Sequence, residues 1–163
     1  GSSNVTIGTP GCSGSSFDPL WQQVYPVTSW GKNFGFIPFA EYPVGTSYRV
    51  MASEDNTNVY FDGALVATLN AGQIYPAAFT SNPVTTTIPV NITSDKPVCV
   101  AQYSATQACS TSIPPAGDPD MVILNPIEQN INDIIIFSST ASWRVVSGPR
   151  LRWDVVCLLR PVV

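Results

Sequence analysis

The sequence contains no histidine. This absence excludes Ser-His and Cys-His nucleophilic catalysis and removes the commonest general base. The four cysteines form no CxxC pair, so a zinc site is disfavoured as well. Glycine-rich phosphate loops of the GxGxxG or GKS/T type are also missing. Only carboxylate chemistry is left, and we expect a protein that is not an enzyme and that holds no metal.

Charge is scarce, since charged residues make up 11% of the chain against about 25% in an ordinary soluble domain. The net charge is −4 without a cluster of Lys and Arg, which disfavours nucleic acid as a partner. No apolar run of about 18 residues is present, so no membrane span is predicted. No secretory signal peptide is recognisable, and we expect it to have been removed or to lie outside this sequence if the chain is exported. Surfaces built from Ser, Thr, Asn and Gln are typical of extracellular β proteins, so a secreted or cell-surface location is predicted.

Strong helix formers are few, with 2 Met, 3 Glu and 2 Lys, whereas Val, Ile, Thr, Tyr and Phe dominate. The clearest pattern is a set of four short strands joined by tight turns, in which Asp62-Gly63 is a strong hairpin signal. These strands are predicted at residues 47–53, 58–61, 64–69 and 73–75. Further strands are predicted at residues 85–92, 98–103, 121–124 and 134–137, with a turn at 94–97. The prediction is an all-β fold, an antiparallel meander forming a sandwich-like or barrel-like domain.

Alternation within two strands assigns residues to opposite faces. In the first predicted strand, Tyr48, Val50 and Ala52 alternate with Arg49, Met51 and Ser53. In the strand at 98–103, Val98 and Val100 lie on one face and Cys99, Ala101 and Tyr103 on the other.

Composition divides the chain into three segments. Residues 1–19 are rich in Gly, Ser and Pro and are predicted to be an irregular N-terminal arm. Residues 20–140 are the predicted β domain. Residues 141–163 hold four of the seven basic residues, a formal +3 against −7 for residues 1–140. This last segment is interpreted as a terminal hairpin, with Ser147-Gly148-Pro149 as its turn, or as an atypical tail.

Four cysteines allow three disulfide pairings. Cys12 lies in a Gly/Ser-rich stretch and Cys109 in a polar, loop-like one, and we favour a bond between them. Cys99 and Cys157 are the other candidates, and four free, partly buried thiols are the alternative.

Candidate binding residues fall into two groups. The aromatic stretch 21–39 includes Trp30 and Phe34, which serve either in core packing or as a ligand-stacking platform. Acidic and amide side chains lie in polar loops, at Glu54-Asp55-Asn56 and at Asp118 and Asp120. They either shape turns or contribute a carboxyl to a glycosidase pair, which needs two carboxyls about 5–10 Å apart. The first loop, with Asn58, is also a possible calcium ligand set, although it lacks the spacing of a dedicated calcium loop.

Four separated blocks resemble the N-terminal domain family of IgG Fc-binding proteins. They are QVYPVTSWGKNF at 23–34, residues 48–75 with ASEDNT and TLNAGQ, SDKPV through Ser104 at 94–104, and GDPDM to NPIEQ at 117–129. Their order and spacing are similar to the family across about residues 20–140. The resemblance implies a module found in an animal mucus protein and in large bacterial surface or secreted proteins, often beside adhesion-type repeats. It supplies no catalytic residues, and it does not by itself imply IgG binding.

We therefore expect an extracellular, non-catalytic adhesion or recognition module that binds an extracellular polymer, a glycan or a protein surface. The first alternative is a structural subunit of an extracellular filament or surface layer. It rests on the end of the resemblance near Thr140, since an incomplete sheet would leave an edge able to self-associate. The second alternative is a carbohydrate-active fragment using Asp118 or Glu54.

Overall fold

The computed structural model describes residues 4–5, 7–8, 12, 17–40, 42–43, 45–77, 84–111, 118–130, 133–137 and 143–147. The chain divides into two compact units, Gly1–Glu128 and Gln129–Val163. The strands of the first unit are β1 (Asn4–Val5), β2 (Asp18–Pro19), β3 (Gly31–Phe36), β4 (Thr46–Ala52), β5 (Thr57–Phe61), β6 (Ala64–Leu69), β7 (Ile74–Tyr75), β8 (Thr85–Thr86), β9 (Val90–Ser104) and β10 (Asp120–Ile123). Three short 3-10 helices lie at Val27–Ser29, Gln107–Cys109 and Ile127–Gln129.

The predicted all-β, antiparallel fold is confirmed. Eight strands, β3 to β10, form one sheet that curves into a nearly closed, barrel-like shape, and β1 pairs with β2 separately. Every strand pair described is antiparallel. Within the part of the chain that is described, no helix is long and apolar enough to cross a membrane.

The long strand β9 organises the sheet by changing its neighbours halfway along. Its first half lies between β3 and β5, and β6 follows β5. Its second half, from Val98 onward, lies between β4 and β10, while β7 and β8 pair with the far side of β4. We call β10-β9-β4-β7 the second half-sheet.

The predicted meander is wrong in its strand order, because β4 and β5 were expected to be neighbours and β9 lies between them. The turn predicted at 94–97 is likewise part of β9. Its turn-forming residues lie where the strand passes from one half-sheet to the other. Pro97 donates no backbone hydrogen bond, and its carbonyl accepts hydrogen bonds from the Ser53 N–H at 3.2 Å and hydroxyl at 2.6 Å. The Asp62-Gly63 hairpin is confirmed, with φ of 48° and 84° joining β5 to β6.

Two cores share β9. The inner core holds Val98 and Val100 with Phe34, Phe36 and other side chains that point into the barrel. The outer core holds Cys99, Ala101 and Tyr103 on the opposite face of the same strand. The alternation predicted for residues 98–103 is therefore confirmed, and the second half of β9 is buried on both faces.

The second unit contains an antiparallel pair, β11 (Asp133–Phe137) and β12 (Trp143–Ser147). This confirms the strand predicted at 134–137. Ser147, predicted to begin the turn of a terminal hairpin, is the last residue of β12 and lies opposite Asp133. Gly148, Pro149 and the remainder of the predicted tail lie outside the described residues.

Candidate functional site

The N-terminal arm is fastened over the outer face of the second half-sheet. The predicted disulfide between Cys12 and Cys109 is confirmed and joins residues 97 positions apart. The carbonyl of Ile7, whose side chain is 2% exposed, accepts a hydrogen bond from the Thr106 N–H at 2.9 Å. Cys99 is a free, buried thiol, and Cys157 lies outside the described residues.

The arm covers part of this face and leaves an apolar groove of about 170 Å³ beside it. The groove is lined by side chains from β4, β7, β9 and β10 and by one from the segment before β3. These are Val24, Arg49, Met51, Ile74, Cys99, Ala101, Tyr103, Met121 and Ile123.

The strand register explains the shape of the groove. Ala101 lies opposite Ile123 on one side and Arg49 on the other. Cys99 lies opposite Met51, which in turn lies opposite Ile74. Directly opposed side chains on one face of an antiparallel pair lie about 5 Å apart. The short side chains of Ala101 and Cys99 therefore form the floor of the groove, and the longer ones beside them form its walls.

Among the described residues that line the groove, Arg49 is the one basic residue and none is acidic. Its Nη2 donates a hydrogen bond to the Ala77 carbonyl at 3.1 Å, which orients the guanidinium. Burial raises the pKa of the Tyr103 phenol, against the opposite effect of the nearby Arg49 charge. Burial also raises the pKa of Cys99 to about 11. Both groups are therefore neutral at physiological pH, and Arg49 supplies the charge of the groove.

The segment before β3 exposes apolar side chains beside the groove. Trp21 is 86% exposed, and Val24, Tyr25 and Val27 are exposed as well. The indole N–H of Trp30 donates a hydrogen bond to the Tyr25 carbonyl at 2.9 Å, which holds the segment in place. Val24 of the same segment forms part of the groove wall.

The two aromatic candidates from the sequence lie near each other and pack against the sheet. Phe34 is 1% exposed and belongs to the inner core. Trp30 is half-buried and packs against the outer core. Both line the same narrow crevice of about 10 Å³, which is smaller than any ligand ring. Core packing accounts for Phe34, while a binding role for Trp30 stays a prediction.

The acidic candidates of the first loop are used to shape the turn between β4 and β5. The Asp55 carboxylate accepts a hydrogen bond from the Ala71 N–H at 3.0 Å. The Asn56 N–H donates to the Asn70 side-chain carbonyl at 3.3 Å, and the Glu54 carbonyl accepts from the Thr57 hydroxyl at 2.7 Å. Asn56 has a φ of 53°, a conformation that asparagine tolerates better than most residues.

The second acidic pair lies at the start of β10. The Asp118 carbonyl accepts a hydrogen bond from the Ser104 hydroxyl at 2.9 Å, and the Asp120 carboxylate caps the Met121 N–H at 2.7 Å. Glu54 lies near the opposite end of the second half of β9, because the hydroxyl of its neighbour Ser53 donates a hydrogen bond to the Pro97 carbonyl. Ser104 lies seven residues after Pro97 along the strand, a distance of roughly 23 Å.

That distance has a chemical consequence. Asp118 and Glu54 are too far apart to form one glycosidase pair with each other. Among the residues that the structure describes, no group of three or more His, Cys, Asp or Glu side chains could hold a metal ion. Calcium binding at the first loop, with Asn58, stays a prediction.

Sequence reasoning missed the groove although it assigned its faces. Alternation placed Arg49 and Met51 on one face of β4, and it placed Cys99, Ala101 and Tyr103 on one face of β9. The missing information was that β4 and β9 are neighbours. Each of the four blocks that resemble the family contributes at least one residue to the groove, and this convergence was the available signal.

Comparison with known proteins supports the resemblance. A family model described as IgGFc binding protein matches residues 1–147. No curated protein and no solved structure matches the chain.

Proposed function

The chain belongs to the IgGFc binding protein family, and on that premise we propose that it is an extracellular adhesion or recognition module that binds the surface of another protein. The observation that carries this proposal is the family match across residues 1–147. The family is a binding domain and is not known as an enzyme family. Recognition without chemistry is therefore the function that the family supports best.

An extracellular location fits the rest of the molecule. Disulfides persist in oxidising compartments and are rare in the cytosol, and Cys12 and Cys109 form one. The few charged residues and the many Ser, Thr and Asn side chains agree with such a location. We propose a secreted or cell-surface protein on these grounds.

The groove is the proposed contact site. It is concave and largely apolar, with one charged group, which is the usual composition of a recognition site. Trp21 and Tyr25, in the same segment as the groove residue Val24, are exposed, and aromatic residues are enriched in the contact regions of protein interfaces.

Biolayer interferometry with the full chain tests the proposal. IgG Fc, a mucin glycoprotein, the same mucin stripped of its glycans and a soluble polysaccharide are immobilised in parallel. We expect binding to at least one of the proteins, with a dissociation constant in the micromolar range or below, and retention after deglycosylation. Binding to the polysaccharide alone, or to none of the four surfaces, would refute protein recognition.

A further inference from the structure

We propose that the groove accepts one aromatic or branched aliphatic side chain of a partner protein together with a carboxylate of the residue next to it. This inference rests on the proposed function and adds the chemistry of the partner. The Phe-Asp or Leu-Glu type of sequence is the simplest segment that fits.

The size of the groove limits the apolar group to one side chain. Its volume is about 170 Å³, and an apolar protein cavity of about 150 Å³ admits a benzene ring. Met51, Ile74, Met121 and Ile123 surround that space. Methionine side chains adapt to rings of different shape because they are unbranched and polarisable. The groove therefore matches a phenyl or isobutyl group in size and in polarity.

Charge complementarity supplies the second half of the inference. Arg49 lies across the strand pair from Ala101, at the edge of the apolar floor. Its hydrogen bond to the Ala77 carbonyl fixes the guanidinium there. Guanidinium groups recognise carboxylates through two parallel hydrogen bonds. None of the described residues that line the groove is acidic, so the charge that they present to an incoming carboxylate is the attractive one of Arg49.

A protein is a better fit than a small free acid because the segment that contributes Val24 to the groove also exposes large aromatic side chains. Val24 forms part of the wall, and Trp21 and Tyr25 of the same segment are 86% and 45% exposed. A ligand of one ring would fill the groove and leave these side chains in water. A protein surface would cover them as well, as the rim around a buried anchor does in known interfaces.

The test uses the full chain, labelled with 15N, and four small probes titrated by chemical-shift changes. The probes are acetyl-Phe-Asp-amide, its neutral analogue acetyl-Phe-Asn-amide, acetyl-Ala-Asp-amide without the ring, and 3-phenylpropanoate as a free acid. We expect acetyl-Phe-Asp-amide to bind most tightly, with shifts at the amides of Met51 and Ala101.

Three variants separate the contributions. Arg49→Gln should lower the affinity for acetyl-Phe-Asp-amide about fivefold, since a partly exposed charge-assisted contact contributes about 1 kcal/mol. Arg49→Lys should restore part of the lost affinity. Val24→Asp places a carboxylate at the groove wall and should lower the affinity for the same probe, because the two negative charges repel each other. Val27→Asp is its matched control, because Val27 is exposed in the same segment and does not line the groove. Well-dispersed amide spectra verify that each variant is folded.

The outcomes distinguish this inference from the proposed function. Equal affinity for the Asp and Asn dipeptides, or an Arg49→Gln variant with unchanged affinity, would refute the claim that the groove recognises a carboxylate through Arg49. Tighter binding of 3-phenylpropanoate than of the dipeptide overturns a protein partner for the groove. No dipeptide binding in a chain that still binds a protein by interferometry overturns the groove assignment and leaves protein recognition standing.

Discussion

The disulfide between Cys12 and Cys109 offers the most direct test of how the arm is held. Its replacement by two alanines removes a cross-link between residues 97 positions apart. On the chain-entropy account, closing a loop of about 100 residues stabilises the folded state by about 4.7 kcal/mol at room temperature. Most of unit Gly1–Glu128 lies inside this loop, so unfolding of the sheet is constrained together with unfolding of the arm.

We expect the double variant Cys12→Ala/Cys109→Ala to lose about 4 kcal/mol of unfolding free energy, because the arm and the sheet share one core. Ile7 on the arm and Ala105 after β9 are each 2% exposed in that outer core. Urea unfolding followed by circular dichroism measures the loss. With a slope of about 2 kcal/mol per molar urea, the midpoint should fall by about 2 M.

Hydrogen exchange at the Thr106 amide measures attachment of the arm directly, since this N–H donates a hydrogen bond to the Ile7 carbonyl of the arm. Its hydrogen exchange should accelerate in the double variant in step with global unfolding. The control is Cys99→Ala, which removes a buried sulfur without removing a cross-link and should cost only about 1 kcal/mol. A midpoint unchanged in the double variant would refute the reasoning. Loss of Thr106 protection without loss of global stability would show that the arm detaches independently of the sheet.

Three further predictions concern single residues. Gly45→Ala should destabilise the protein by about 2 kcal/mol in a thermal melt, because Gly45 has a φ of +95° and a new Cβ would lie 2.5 Å from the Thr86 carbonyl oxygen. The control is Gly35→Ala, which should be neutral or stabilising in the same assay because nothing lies within 4 Å of its new Cβ. Cys99, with its pKa raised to about 11 by burial, should react with iodoacetamide at pH 8 roughly a hundredfold more slowly than an exposed thiol and should reach the normal rate in denaturant. Partial desolvation raises the pKa of Asp95, but hydrogen bonds from the Asn58 backbone and side chain outweigh it and leave that pKa lowered. The contribution of the Asp95 carboxylate to stability is therefore complete above the ordinary aspartate pKa and is lost as the pH falls through the lowered pKa of Asp95. An NMR titration in which Asp95 has an ordinary or higher midpoint would contradict this expectation.

The sequence was sufficient where a local residue pair determines the structure. Asp62-Gly63 demands positive φ at both turn positions, so the β5–β6 hairpin was predictable from two residues. It was insufficient where distant strands compete for the same neighbour. Residues 94–97 look like a turn because Asp95, Lys96 and Pro97 are typical of turns, yet β9 continues through them as it moves from β5 to β4. No local pattern distinguishes a turn from such a change of partners.

The candidate site depends on that same non-local pairing. Arg49 and Ala101 are 52 positions apart and become neighbours only because β9 lies between β4 and β10. Alternation correctly separated each from the residues of its strand that join the inner core, but it gave no reason to put the two faces together. Sequence reasoning instead favoured residues with conspicuous chemistry, such as Asp55 and Asp120. The structure uses those carboxylates to accept hydrogen bonds from backbone amides, from Ala71 in a turn for Asp55 and from Met121 at the start of β10 for Asp120.

Hydrogen bonds between the four family blocks meet where β9 changes partners, at the irregularity where its register against β3 shifts between Gly31 and Asn33. Glu128, in the last block, accepts hydrogen bonds from the Lys32 N–H at 3.1 Å and the Asn33 side chain at 2.7 Å in the first block. The Lys32 ammonium donates to the Asp95 carbonyl at 2.8 Å, and the Asp95 carboxylate accepts two hydrogen bonds from Asn58. These bonds link all four blocks at the level of residues 93–98, where the first half of the strand ends. This network joins β3, β5 and the segment after β10 to β9 just before Val98, where the pairing of β9 with β4 begins, and that pairing places Arg49 opposite Ala101 in the groove.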